Sequence, residues 1–461
     1  VWVTYESGPS GLKFTGAGSN SSGVQAVSAA GEISFGQPML WGAGGSDALS
    51  GSGSSDLLAG GDGNDTLTGG AGEDTLEGGL GDDTFSPGAG NDLIQGSDSR
   101  GVYWLMNRTG DRDTLNYAEV SDGGVTIDLT SATVSGPASV GTDRYVGIEA
   151  INGTRSSDRV KGRIDAGEGI AEQHSLTFVG NGGSDVIEQD ATGMSRFVDG
   201  LTVWYSWSAT PVVATFSAEA GTVSYGASGA QQAGTDQLTR VGQFLGSRYD
   251  DRFDFSAMTG GWQQYSKVNS VGLSGGADTV VGNGQTWLSL GPVRSSSQGR
   301  EGAEIDLRSG WADLSHLTTW LGPLQSVTYS GVNGVVGSVL NDTLSGGGND
   351  VLEVFRGDGG DDSIDGRGGY DRADYRLAGE AITVDLGSGV ASGGATTGTD
   401  TLRSIESIRA TMYGDRIDAS GFGLSGSANA GSLGRLNVIE ALGGDDTITG
   451  NVVTRLSYEF A

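Results

Sequence analysis

Between Gly42 and Gly96 the chain repeats a nine-residue frame six times without a slip: GAGGSDALS, GSGSSDLLA, GGDGNDTLT, GGAGEDTLE, GGLGDDTFS and PGAGNDLIQ. Aspartate recurs at Asp47, Asp56, Asp65, Asp74, Asp83 and Asp92. Two residues after each stands a large apolar residue: Leu49, Leu58, Leu67, Leu76, Phe85 and Ile94. Glycine at the first, second and fourth places lets the backbone take positive φ and turn tightly. The last three residues of a copy, such as Thr66-Leu67-Thr68, read as a short strand whose middle side chain points inward. Two copies then form one coil of 18 residues. That period stacks Asp47, Asp65 and Asp83 on one edge and Asp56, Asp74 and Asp92 on the other. Stacked carboxylates repel one another. Hard divalent cations between them reverse the sign, and loop carbonyls complete the oxygen shell that Ca2+ takes. A flexible Gly/Asp-rich linker has no reason to hold a large apolar residue at every ninth place.

This frame resembles the RTX family of secreted bacterial proteins, whose Gly/Asp-rich nonapeptide builds a calcium-binding parallel β-helix. The resemblance implies an all-β fold: a right-handed parallel β-helix or β-roll solenoid with calcium in its turns. It also implies export through a type I system, largely unfolded, and folding outside the cell. The composition agrees with a chain of this kind. Its net charge is −31, from 26 Lys+Arg against 57 Asp+Glu. Nucleic acid is excluded as a partner, because backbone phosphates demand a basic face, and an anionic membrane surface is excluded on the same ground. Such acidity suits cations, and without them it expands the chain. With no cysteine there is neither a disulfide framework nor a thiolate metal site, so stability must come from stacking and calcium. No run of 18 apolar residues is present, so no membrane insertion is expected. No N-terminal signal peptide is read in the sequence given, so Val1 is expected to be a processed or arbitrary start within something longer.

A longer repeat underlies the nonapeptides. Its core runs from Gly-Thr-Asp to Asp-x-apolar, at 141–160, 234–253 and 398–417. The two aspartates lie 15 apart each time: Asp143 and Asp158, Asp236 and Asp251, Asp400 and Asp415. Glu32 before Asp47 and Val327 before Asp342 are weaker copies. Upstream of each core lies a strand of period two, as in Val125–Leu129, 303–307 and Ile382–Leu386, with a looser version at 213–216. Further upstream is an anchoring tyrosine: Tyr5, Tyr117, Tyr205 or Tyr375. Five modules follow, at 1–116, 117–204, 205–295, 296–374 and 375–457, with the start of another at 458–461. Stretches 99–112 and 286–325 lose the pattern and are expected to be excursions. Single nonapeptide turns add Asp185, Asp278, Asp350, Asp362, Asp371 and Asp446 to the six candidate calcium ligands of the regular run. Where arginine follows the aspartate (Asp158-Arg159, Asp251-Arg252, Asp415-Arg416), an ion pair is expected in place of the metal.

Little points to catalysis. The two histidines, His174 and His316, are far apart, and no HExxH occurs. The GxSxG match at Gly272–Gly276 lies in a nonapeptide-like turn without the strand–turn–helix context of a nucleophile elbow. The aspartates are explained by turn positions, so the chain reads as a non-enzyme. The alternative is an accessory or catalytic solenoid of a polysaccharide-active enzyme, resembling alginate epimerases. Of the nine tryptophans, Trp2, Trp41, Trp104, Trp204, Trp207, Trp262, Trp287, Trp311 and Trp320, those beside Tyr205 read as core or interface, with surface glycans as the alternative partner. The two chain ends read as complementary module halves. End-to-end association with copies of itself is therefore expected, as in a filament, surface-layer or adhesin component at the cell surface.

Overall fold

A computed structural model describes residues 4–8, 11–15, 39–97, 111–163, 175–190, 200–228, 233–259, 268–291, 293–297, 299–348, 351–424, 429 and 436–457. Asp350, Glu32, His174, Trp2, Trp104, Trp262, most of 99–112 and the start of a further module at 458–461 lie outside the described residues. Among those described there is no helix; the chain is strands and turns, an all-β parallel β-roll or β-helix. It forms two compact units, Val1–Trp207 with Thr222–Val241, and Ser208–Gly221 with Gly242–Ala461. The division falls inside the stretch 205–295.

In the first unit the nonapeptides coil as their 18-residue period requires. One wall stacks Met39–Gly44, Leu57–Asp62, Thr75–Leu80 and Leu93–Ser97 in parallel. The other stacks Ala48–Ser50, Thr66–Ala71, Thr84–Ala89, Thr114–Asn116, Ala150–Asn152 and Ser175–Val179. The register places like on like: Leu58 on Leu76 on Ile94 in one wall, and Leu49 on Leu67 on Phe85 on Leu115 in the other. All of these are buried, Leu67, Leu76 and Phe85 completely. Burying each such side chain stabilises the stack by about 1.5–3 kcal/mol. At Gly61 glycine is a steric requirement. Gly61 holds φ at +114°, and a Cβ there would stand 2.3 Å from the Ala43 carbonyl oxygen.

The walls are not purely parallel. Thr126–Asp128, Thr133–Ser135 and Thr142–Val146 form an antiparallel meander. Its last strand pairs in parallel with Leu93–Ser97 and its first with Arg159–Gly162. The meander thus lies within the wall. In the second unit Thr383–Asp385, Val390–Ser392 and Thr399–Arg403 repeat the arrangement, lying between Ser363–Asp365 and Arg416–Asp418. The long repeat seen in the sequence is therefore one meander plus the coil that follows it.

The stretch 286–325 is wall rather than excursion. Thr286–Ser289 pairs in parallel with Asn269–Gly272, and Glu301–Asp306 with Asn341–Ser345. Trp311–Asp313 runs antiparallel to Gly322–Ser330 as part of a further meander. Alternating burial of Ala303, Ile305, Ala312 and Leu314 drives this. The pattern is hard to see in sequence because Val293–Ser296 and Leu317–Thr319, an extra antiparallel pair, interrupt it.

Candidate metal centre

Most turn aspartates fold inward and clasp the neighbouring coil; Asp371 differs, with both carboxylate oxygens lacking a donor. The backbone N–H of Asp47 donates to Oδ1 of Asp65 (2.8 Å), that of Asp65 to Asp83 (2.7 Å), and that of Asp83 to Asp113 (2.9 Å). On the opposite edge Asp56 donates to Asp74 (2.7 Å), Asp74 to Asp92 (2.8 Å) and Asp92 to Asp143 (3.0 Å). The same clasp links Asp158 to Asp185, Asp185 to Asp236, Asp251 to Asp278, Asp342 to Asp362, Asp362 to Asp400 and Asp415 to Asp446. Sequence reading passes over Asp113, because it lies 30 residues rather than 18 beyond Asp83. Its Asp-Thr-Leu is nonetheless the nonapeptide signature.

The second carboxylate oxygen divides these aspartates. Among the described residues, Oδ2 of Asp47, Asp65, Asp74, Asp83, Asp92, Asp185, Asp362 and Asp371 is buried without a hydrogen-bond donor. Leaving a buried carboxylate oxygen unpaired is costly. At the Asp65 edge a Cβ built on Gly60 would stand 2.2 Å from Asp65 Oδ2 and 2.7 Å from the Gly78 carbonyl oxygen. The orphaned oxygen and a main-chain oxygen thus crowd one point. Gly42 sees Asp47 Oδ2 and the Gly60 carbonyl in the same way, Gly69 sees Asp74 Oδ2 and the Pro87 carbonyl, and Gly366 sees Asp371 Oδ2 and the Ser404 carbonyl. Among the described residues no three His, Cys, Asp or Glu side chains converge on one point. A cation here must take part of its shell from carbonyls, which Ca2+ accepts readily.

Protonation responds to the same crowding. Burial pushes Asp65 and Asp74 up to about 6, with neighbouring carboxylates adding to the rise and the clasping N–H opposing it. Asp83 reaches about 7, Asp371 about 8, and Asp113 and Asp362 about 9, burial leading in each. The edges therefore want positive charge and hold protons when none is supplied.

Other aspartates supply their own donors. Oδ2 of Asp143 accepts the Tyr117 hydroxyl (2.7 Å), that of Asp236 the Tyr205 hydroxyl (3.0 Å), and that of Asp400 the Tyr375 hydroxyl (2.9 Å). This is what Tyr117, Tyr205 and Tyr375 do; the side chain of Tyr5 lies outside those described. Oδ2 of Asp56, Asp158, Asp251, Asp342 and Asp415 accepts the N–H of Ser52, Thr154, Ser247, Ser338 and Thr411, respectively. Asp56, a candidate ligand by sequence, is thus already satisfied by Ser52. The arginines that follow Asp158 and Asp251 do not pair with them: Arg159 meets Glu188 and Arg252 meets Asp254. A hydroxyl residue, not an ion pair, stands in for the metal there. Asp278 and Asp446 each accept one clasp, but neither is among the orphaned carboxylates.

Other residues singled out by the sequence lie elsewhere. Ser274 is fully buried and its hydroxyl donates to the carbonyls of Gly246 and Ser247, so it offers no nucleophile. His316 contacts the Gly302 carbonyl through Nε2 at 2.9 Å. Tyr205, Trp207 and Tyr225 pack on one another, and Arg112 lies 4.0 Å over the ring of Trp204. Trp311 and Trp320 are exposed. One feature is invisible in sequence. Strand register brings Asp374, Arg409 and Glu440 side by side, with Arg372 and Arg409 each 2.6 Å from Glu440. All but Arg372 are buried, as befits a structural ion lattice.

Residues 41–76, 59–94 and 435–452 match the family described as the RTX calcium-binding nonapeptide repeat (four copies). This chain carries RTX calcium-binding repeats. Their cofactor is calcium, and the orphaned carboxylates beside carbonyl oxygens fit it. No curated protein matches the chain.

Proposed function

We propose that this is a secreted calcium-binding repeat protein that folds as calcium enters its coil edges and then serves as a structural component of the cell surface. The ligands would be Asp47, Asp65, Asp74, Asp83, Asp92, Asp185, Asp362 and Asp371. The observation that carries this is the buried, donorless Oδ2 of each of them. Calcium would bridge these oxygens to facing carbonyls and convert a repulsive carboxylate stack into an attractive one. RTX proteins are typically exported by type I secretion, and a chain at −31 that needs calcium to neutralise its edges suits export in the unfolded state. End-to-end assembly with copies of itself, into a filament or surface layer, is the proposed use of such a stack. Its strand walls and repeat pattern take up nearly all the described chain. The Asp374–Arg409–Glu440 lattice is buried, which weighs against its serving the alternative of a polysaccharide-active enzyme.

Sedimentation velocity in EDTA and then in millimolar CaCl2 tests the reading. A slow, expanded species that becomes compact with calcium and then grows into large assemblies is expected. Compaction that stops at a monomer removes the self-assembly part. A compact species in EDTA that ignores calcium removes the whole.

A further inference from the structure

The orphaned and satisfied aspartates differ at one other position. Four residues before Asp47, Asp65, Asp74, Asp83, Asp92, Asp185, Asp362 and Asp371 stand Ala43, Gly61, Gly70, Gly79, Gly88, Asn181, Asp358 and Arg367. Every one of these holds a left-handed φ, from 61° at Asn181 and Arg367 to 116° at Gly79. Four of the eight are not glycine, and non-glycine residues rarely adopt this conformation. The corresponding residues before Asp56, Asp158, Asp251, Asp342 and Asp415 are Ser52, Thr154, Ser247, Ser338 and Thr411, and none of them has positive φ. In these turns the residue's N–H points at the carboxylate at 2.5–2.8 Å. Its hydroxyl adds a second bond, as from Ser52 to Asp56 at 2.9 Å and from Thr411 to Asp415 at 2.8 Å. Short hydroxyl side chains favour such local caps.

We propose that at these thirteen aspartates the residue four before decides whether the coil takes calcium. A left-handed residue turns its peptide N–H away, leaves Oδ2 donorless and makes a cation site. A Ser or Thr in ordinary φ whose N–H reaches the carboxylate, as at those five positions, caps it and closes the site. The tyrosines of the long repeat close Asp143, Asp236 and Asp400 in the same sense, from further away. The chain is therefore a mosaic in which calcium-bound coils alternate with coils held by hydrogen bonds alone. Ser52 is the informative exception inside the regular run. It occupies the place held by Gly61, Gly70, Gly79 and Gly88 in later copies, while Gly51 still faces Asp56 Oδ2 and the Gly69 carbonyl. Ser338 is its counterpart in the second unit, since Gly337 faces Asp342 Oδ2 and the Gly357 carbonyl. In both places the oxygens of a calcium site are present and only the cap blocks it.

This inference rests on the calcium reading above, and one experiment separates the two. Bound calcium is counted by equilibrium dialysis at saturation for the full chain, for Ser52→Gly, for Ser338→Gly and for Asp65→Asn as a control. Thermal unfolding in EDTA and in calcium is followed alongside. Each serine-to-glycine variant is expected to gain one ion per chain, to melt lower than the parent in EDTA and to recover in calcium, while Asp65→Asn loses ions. Calcium binding by the parent with unchanged counts in both glycine variants overturns this inference alone. A parent that binds no calcium overturns both.

Discussion

Asp65 performs two tasks with two oxygens, and two substitutions separate them. Oδ1 accepts the buried Asp47 N–H at 2.8 Å, while Oδ2 is the donorless oxygen facing the Gly78 carbonyl. Asp65→Ala removes both. It strands the Asp47 N–H, which costs about 1–3 kcal/mol whether or not calcium is present. Asp65→Asn keeps an acceptor for that N–H but removes the charge that would hold an ion. Extracellular calcium modules bind at about 10⁻⁴–10⁻³ M. At calcium ten to a hundred times above that, each ion contributes about 1.4–2.7 kcal/mol. The expected order in EDTA is therefore Asn equal to or above the parent, with Ala below. In calcium the parent rises above both, and Asn falls short of it by about 1.4–2.7 kcal/mol per lost ion. Hydrogen exchange of peptides covering residues 57–89 measures this locally, which matters because two units make a single global unfolding free energy ill-defined. An Asn deficit of equal size in EDTA and in calcium would refute the division of labour between the two oxygens.

Three further outcomes follow from the same geometry. Because burial raises Asp65, Asp74 and Asp83 to about 6, 6 and 7, the calcium-free fold binds more protons than the unfolded chain between about pH 4 and 7. Its stability in EDTA should thus fall as pH rises through that window, and the calcium midpoint should be higher at pH 5.5 than at 7.5; denaturation at several pH values checks both. Leu67→Ala, at a fully buried position stacked between Leu49 and Phe85, should cost about 2–5 kcal/mol equally with and without calcium, as urea titration would report. Gly60→Ala would place a Cβ 2.2 Å from Asp65 Oδ2 and should lower the calcium count while leaving the core strands protected, as equilibrium dialysis and exchange would detect.

The period of the regular run is legible in the sequence because one residue type at a fixed spacing can only stack. The pairings of Leu49 with Leu67 and of Leu58 with Leu76 are that spacing made physical. The anchoring tyrosines are visible too, but not their purpose. Tyr117 and Asp143 lie 26 residues apart, and only the meander between them brings hydroxyl to carboxylate. The sorting of edge aspartates into open and closed was within reach, since Ser52 breaks a column of glycines. Seeing it required knowing that the N–H at that place reaches the carboxylate. The Arg372–Glu440 pair spans 68 residues, and no local pattern announces it. Its register depends on how many residues each intervening coil consumes.

The most direct test of the account is a crystal structure of the calcium-loaded chain with an anomalous difference map that locates the ions. The account predicts peaks beside Oδ2 of Asp47, Asp65, Asp74, Asp83, Asp92, Asp185, Asp362 and Asp371, and none between Tyr117 and Asp143 or between Tyr375 and Asp400. Peaks at the tyrosine-capped aspartates, or well-ordered edges with no peak beside Asp65 and Asp83, would contradict it.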